Sequence, residues 1–391
     1  MHIQWHEDVH KWHPGQQWIW EAGGFGVFDP GINAFSIATR IFPGALLVRS
    51  ADLSIPENAQ TAIAAEVTFY SPEADGQLSA SLDWRRSEGE EWMIEIDKAR
   101  PIVKRALDLG VNFFDTANVY SNGRSEEIVG ELLKDHRDDV VIATKVRLKV
   151  GEGPNREGLS RYHINGQVKK SLKRLRTDRI DLYQTHRWDY ATPIEETLVA
   201  LNDIIRQGLV NYVGTSSMFA WQFAQALTTS DRLGIARFVS MQNHYNLCYR
   251  EEEKEMIPFC KEQGIALIPW SPLARGFLTG RYKRGGKVDT PRYRSDKYFA
   301  ERFFRPEDFD VLERVEEIAK EKGVSASQIA LAWLLHKGVS APIIGATRVE
   351  HLEDAVSALD VKLSSDDMKR LEEPYKPHRI IGPLPVPEPL N

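Results

Sequence analysis

The chain has 391 residues, 42% hydrophobic and 27% charged, with a formal net charge of -6. That is enough for one barrel with an extension or for two domains, and it excludes a globally basic nucleic-acid-binding or membrane-surface protein. Cys248 and Cys260 form neither a disulfide framework nor a cysteine-rich zinc site, so no metal is expected and the chain fits a reducing compartment.

The first 90 residues form a divergent segment, expected to be partly disordered. Its start, MHIQWHEDVHKWHPG, lacks the apolar core of a signal peptide, and no run in the chain is long enough to span a bilayer. A cytoplasmic protein is expected. Trp5, Trp12, Trp18 and Trp20 are scattered among glycines and prolines, and only Ala45–Val48 and Val67–Tyr70 read as strands. His6, His10 and His13 would share one helical face, but a histidine-containing tail fits better than a metal site.

From about Ala99 the pattern becomes regular. Strand-like runs fall at Val111–Thr116, Val140–Lys145, Ile180–His186, Tyr212–Ser216, Phe238–Tyr245, Ala266–Trp270 and Pro342–Ala346. Between them lie helical patterns at Lys98–Leu109, Ser125–Lys134, Gly166–Leu175, Pro193–Gln207, Ala220–Ser230, Glu251–Gln263, Ser325–Lys337 and Val349–Leu359, with a further helix at Glu307–Lys322. Gly110, Gly208 and Gly264 each follow a helix, as C-cap glycines do. The basic cluster Lys169, Lys170, Lys173, Arg174 and Arg176 reads as a solvated helix face. The proline-rich tail, 376–391, reads as an extended segment laid over the surface.

Apolar strands alternating with helices imply a parallel sheet covered by helices. A doubly wound sheet satisfies the same pattern. The count favours a (β/α)8 barrel over residues 91–375, closed by one further strand upstream. A barrel places its chemistry at the carboxyl ends of its strands, and polar residues gather there. Asp115, Lys145 and His186 end three consecutive runs, Ser216 and Ser217 follow, then Gln242, Trp270 with Ser271, and Gly345. No Gly-x-Gly-x-x-Gly opens a helix after a strand: Gly151 with Gly153, and Gly24 with Gly26, lack the third glycine. Phosphates would instead sit on the loops Ser271–Gly276 and Gly345–Arg348, the second leading into a helix N-terminus.

The stretch FFDTANVY, with Asp115 and Tyr120, followed by ATK ending at Lys145 and QTH ending at His186, resembles the aldo-keto reductase superfamily. The wording SNGRSEE, WSPLARG and IIGATR is similar to the branch that holds fungal aryl-alcohol dehydrogenase-like reductases and potassium-channel β subunits. The resemblance spans roughly residues 91–375. It implies hydride transfer from NADPH to an aldehyde or ketone, giving an alkoxide that needs a proton. In that scheme Tyr120 supplies the proton, Lys145 stabilises the phenolate, Asp115 holds the lysine, and His186 hydrogen-bonds the carbonyl oxygen.

The same resemblance implies that Trp270 stacks on the nicotinamide while Ser216, Ser217 and Gln242 bond its carboxamide. Ser217 stands where many relatives have Asn. Ser271, Leu273, Gly276, Gly345 and Thr347 would line the phosphate loops, and Arg294 and Arg348 would clamp a 2′-phosphate, which selects NADP(H). His351 and Asp354 replace the Gln and Glu of relatives at adenosine contacts. Trp188 and Tyr190 would form an aromatic wall for a small-molecule substrate, an aryl aldehyde or ketone of the kind met in secondary metabolism.

The oligomeric state is not legible. Relatives also begin with a first strand that ends in a glycine-rich turn, and the nearest string here, Gly23-Gly24-Phe25-Gly26, lies far upstream. Two expectations follow: either Val67–Tyr70 supplies that strand, or the barrel is incomplete, as a mis-set gene boundary or an unspliced segment would make it. An incomplete barrel would suit a cofactor-binding regulatory or catalytically impaired homologue.

Overall fold

The computed structural model describes residues 2–6, 47–71, 78–83, 91–95, 99–285 and 305–384. His10, His13, Trp12, Trp18, Trp20, Gly24, Gly26, Arg294 and the tail beyond 384 lie outside the described residues. The chain divides into two compact units, 1–98 and 99–391.

In the first unit, β1 (His2–His6), β2 (Leu47–Ser54), β3 (Ala64–Tyr70), β4 (Leu78–Asp83) and β5 (Glu91–Glu95) form one sheet in the order β2-β3-β4-β1-β5. β3 alternates: Ala65, Val67 and Phe69 are buried while Glu66 and Tyr70 are exposed. Period-two alternation of this kind belongs to an antiparallel sheet with one solvated face. Val67–Tyr70 is therefore not the missing barrel strand. It pairs antiparallel with both β2 and β4, whereas a barrel strand runs parallel to its neighbours. Glu91–Glu95 likewise pairs antiparallel with β1.

The second unit carries the rhythm read from the sequence. β6 (Phe113–Asp115), β7 (Val141–Val146), β8 (Ile180–Thr185), β9 (Val210–Ser216), β10 (Ser240–Gln242) and β11 (Ala266–Leu267) form one parallel sheet in chain order. Parallel bridges His244–Trp270 and Trp270–Ile343 extend it, so the last strand-like run joins the wall. β6 ends the sheet on the other side. There Val103, Phe114, Ile128, Val129 and Leu132 line an apolar hollow of about 330 Å³. This is a (β/α)8-type wall whose first strand is not among the paired strands.

Helices α1 (Ala99–Asp108), α2 (Arg124–Leu133), α3 (Arg161–Leu175), α4 (Ile194–Arg206), α5 (Ala220–Leu233), α6 (Met256–Glu262), α7 (Pro306–Lys322), α8 (Ala326–His336) and α9 (Val349–Ser357) follow the predicted order. α3 starts earlier than its apolar periodicity suggests because Ser160 caps it, accepting from the His163 backbone N–H. A further helix, α10 (Ser365–Glu372), opens on a capping box between Ser364 and Asp367. Among the described residues no helix is long and apolar enough to cross a membrane.

Strand periodicity builds the site. Successive inward positions put Lys145 above Ala143 on β7 and Gln184 above Leu182 on β8. Ala143, Leu182 and Ile268 form an apolar cluster with Phe113, Ala341 and Ile343, and the polar residues sit one pleat nearer the carboxyl ends. Outside the wall, α2 and α3 touch at backbone distance. A Cβ on Gly130 would lie 2.3 Å from the Leu175 carbonyl oxygen, which cannot rotate away. Gly130→Ala should therefore cost about 1–3 kcal/mol by overpacking, read as a lower urea midpoint with an unchanged slope.

Candidate active site

Asp115 closes β6, and the chain then turns inward over β7. The backbone N–H groups of Thr116 and Asn118 donate to the carbonyls of Ala143 and Lys145 at 2.9 and 3.2 Å. This places the Tyr120 loop beside the lysine. Ser121 and Asn122 follow in left-handed conformation, with φ of 48° and 53°, and swing the chain into α2. Tyr120 remains 40% exposed, its ring facing the rim.

Lys145 is wholly buried. Its ammonium pairs with the Asp115 carboxylate, donates to the Thr116 carbonyl at 2.8 Å, and lies 5.1 Å from the Tyr120 ring centroid. Asp115 Oδ1 also accepts from Gln184 Nε2 at 2.9 Å and Gln242 Nε2 at 2.8 Å. A buried ion pair is tolerated only when its remaining polar atoms are satisfied, and these amides satisfy the carboxylate.

His186 stands at the end of β8, its N–H bonded to the Val146 carbonyl at 2.8 Å. Its ring meets that of Tyr120 edge to face, centroids 5.7 Å apart. Burial, and then the charges of Lys145, Arg187 and Arg147, push the imidazole down to about 2. His186 is thus neutral at any working pH. Its Nδ1 is buried without a hydrogen-bond partner. The four residues expected to carry the chemistry lie together at one point of the rim.

The next strands supply a platform. Ser216 Oγ donates to the Gln242 carbonyl at 2.7 Å and lies 3.4 Å from Ser217 Oγ. Trp270 Nε1 donates to Ser217 Oγ at 2.9 Å. One face of Trp270 is covered by His244, 4.1 Å away and 9° off parallel, and His244 stacks in turn on Tyr249 at 4.4 Å. Tyr245 packs beneath, against Trp333, while His244 backs the tryptophan.

Left-handed backbone recurs at Ser217, Ser271, Ala274, Arg275 and Gly276, where strands β9 and β11 give way to rim loops. Leu273 accepts the Gly276 N–H at 2.8 Å and caps the helical turn that follows. Across the rim, Gly345, Thr347 and Arg348 lead into α9, with Arg348 at its N-cap. Arg348 is exposed and has no ion-pair partner among the described residues. His351 bonds Thr347 and Arg281, while Asp354 accepts from the Ser325 hydroxyl that caps α8.

Two sets of contacts were not legible in advance. Trp188 is buried against Trp221, and Tyr190 donates to the Leu384 carbonyl at 3.1 Å while accepting from Gln222. The described part of the tail, 376–384, lies over the rim and is pinned there. Tyr249 Oη exchanges hydrogen bonds with the backbone of Ile381, and His378 meets Asp308 at 2.8 Å with both side chains buried. Gly382, at φ 115°, lies so close that a Cβ would meet Ser217 Oγ at 3.1 Å and Trp270 at 3.7 Å.

The family model described as the aldo/keto reductase family matches residues 84–376, and the chain belongs to that family. It is 42% identical over 323 residues to the aldo-keto reductase dtxS3 of Metarhizium robertsii, covering 74% of this chain and 85% of that protein. It is 42% identical over 320 residues to a putative aryl-alcohol dehydrogenase, C750.01, of Schizosaccharomyces pombe, covering 75% and 97%. A versiconal hemiacetal acetate reductase of Aspergillus parasiticus is 39% identical over 309 residues, covering 74% and 90%. Family membership makes the chain an oxidoreductase of carbonyl and alcohol groups.

Two outcomes follow from the buried charges. Lys145→Met removes the ion-pair partner of the buried Asp115 and should cost about 3 kcal/mol in chemical denaturation, with Asp115→Asn in the same chain recovering most of the loss. For His186 the native value lies below the unfolded 6.5, so the unfolded chain binds the extra proton. Its contribution is intact above pH 6.5 and falls as the pH drops below that, by up to about 1.4 kcal/mol per pH unit. His186→Asn should therefore lose roughly 1–2 kcal/mol less than wild type between pH 7 and pH 5.

Proposed function

We propose that the chain reduces an aldehyde or ketone, with an aromatic substituent, to the alcohol using NADPH, and that Tyr120 is the general acid. The observation that carries this reading is the convergence of Asp115, Tyr120, Lys145 and His186 on one point of the rim. The relatives' names, aryl-alcohol dehydrogenase and versiconal hemiacetal acetate reductase, support carbonyl chemistry.

The residues present fit a nicotinamide dinucleotide. Trp270 is an indole backed on one side and anchored through Nε1, and Ser216, Ser217 and Gln242 cluster beside it. Arg348 offers an exposed guanidinium at a helix N-terminus, suited to a 2′-phosphate. Trp270 would hold the nicotinamide, the two serines and Gln242 its carboxamide, and Arg348 the phosphate. Ser271, Leu273, Gly276, Gly345 and Thr347 would line its path, with His351 and Asp354 toward the adenosine. The reduced nicotinamide supplies a hydride.

The chain's own residues do the remainder. Neutral His186 can donate a hydrogen bond to the carbonyl oxygen without carrying a charge into the site. The Lys145 ammonium, 5.1 Å from the Tyr120 ring, favours the phenolate that remains once Tyr120 has given up its proton. Asp115, itself held by two glutamine amides, keeps the ammonium from turning away.

The competing reading is a cofactor-binding regulatory homologue without turnover. One observation favours it: β6 ends the parallel sheet, so the wall lacks its first strand among the described residues. NADPH titration with a parallel oxidation assay separates the two. Saturable binding with carbonyl-dependent oxidation supports the enzyme; saturable binding without it supports the regulator.

For the enzyme, Tyr120→Phe should lower kcat by about 100-fold or more while NADPH affinity changes by less than about 3-fold. Retained turnover would reassign the acid. Arg348→Ala should weaken NADPH by about 10-fold and NADH little, as measured by fluorescence titration.

A further inference from the structure

Two neighbouring strands each end in a guanidinium beside His186. Arg147 directly follows β7, and Arg187 directly follows His186. Arg187 folds inward across the rim. Its Nη1 donates to the His186 carbonyl oxygen at 2.6 Å and to Ser216 Oγ at 3.3 Å, and its Cζ lies 6.0 Å from the Trp270 ring centroid.

Arg147 has a φ of 137°, a conformation that L side chains rarely adopt and that persists only where the surroundings impose it. They do so here, since the Gly158 N–H donates to the Arg147 carbonyl at 2.8 Å. The side chain is mostly buried and its Nε has no hydrogen-bond partner. Its ion pair among the described residues, with the exposed Glu157, is loose at 4.0 Å. Lys145, Arg187 and Arg147 each act against a protonated His186. Neither of the two arginines has a part in the carbonyl-reducing roles described above.

We propose that the substrate is a 2-oxo carboxylate, its carboxylate received by Arg187 and Arg147 while its ketone oxygen is received by His186. This rests on the reductase reading and names its substrate class. A guanidinium presents N–H donors in a planar fork that matches a carboxylate in two parallel bonds. Arg187 adjoins His186 in the chain and bends back onto its carbonyl. Its charge therefore stands beside the imidazole, where an acid one bond from the ketone carbon arrives, not at the far end of a long substrate.

The step balances as a two-electron reduction. The C=O π bond breaks as the carbon takes hydride from the reduced nicotinamide and the oxygen takes the Tyr120 proton. The carboxylate is unchanged, and the products are a 2-hydroxy acid and the oxidised cofactor.

The test compares phenylglyoxylate with benzaldehyde on the full chain with NADPH. Wild type should favour phenylglyoxylate in kcat/KM. Arg187→Gln and Arg147→Gln should each lower that ratio by about 10- to 100-fold, the loss expected for a charge-assisted bond, and the Lys variants should recover part of it. Because both substrates are measured on one preparation, the ratio is independent of how much of a variant folds.

A second readout needs no turnover. With NADPH present, titration calorimetry should show mandelate binding more tightly than benzyl alcohol, and Arg187→Gln should remove the difference. A wild-type preference for benzaldehyde, or an unchanged ratio in both Gln variants, overturns the proposal and leaves the reductase standing. Loss of NADPH affinity in Arg187→Gln with an unmoved ratio also overturns it, marking a cofactor contact. Failure to reduce any carbonyl removes the reductase reading and the proposal together.

Discussion

A charged pair buried at the top of the parallel wall organises the whole site. Taking Lys145 and Asp115 out of water is costly, and the cost is offset only if every remaining lone pair and proton finds a partner. The Thr116 carbonyl and the amides of Gln184 and Gln242 meet that demand. Those partners come from the residue after β6 and from β8 and β10, so the pair also ties the strand ends to one another. The Tyr120 loop then folds over the lysine through backbone bonds to Ala143 and Lys145. Weaken the pair and the wall, the loop and the tyrosine all lose their reference.

Above that level the rim is held by constraint. Left-handed backbone at Ser217, Ser271, Ala274 and Arg275 turns strand ends into loops that present side chains to one another. A stack of three rings, Tyr249, His244 and Trp270, gives the platform a rigid back. Tyr249 also holds Ile381, so the same residue that supports the tryptophan ties down the tail crossing beside it. Gly382 can lie against Ser217 and Trp270 because it has no Cβ. The C-terminal segment is thereby part of the mouth of the barrel.

Much of this was legible beforehand. Helix periodicity and C-cap glycines placed the elements, and Asp115, Lys145 and His186 were marked by their places at the ends of apolar runs. What could not be read were contacts between distant segments. Gln184 and Gln242 reach Asp115 across 69 and 127 positions, and Tyr249 reaches Ile381 across 132. For Val67–Tyr70 the strand itself was legible but two placements stayed open, because its length and residue types suit either kind of sheet. Its alternation with Glu66 and Tyr70 was the discriminating signal.

The sequence by itself determined the parallel wall, the order of its strands and which residues end them, because those follow from local periodicity and from turn chemistry. Only the tertiary structure decided which of those ends meet. Curling the sheet brings residues far apart in the chain within hydrogen-bond reach, and burial then favours the arrangement that pairs Lys145 with Asp115 and Asp115 with two amides. His186 shows the division. Its position can be read from the strand, but its neutrality comes from burial and from three cations that only folding gathers around it.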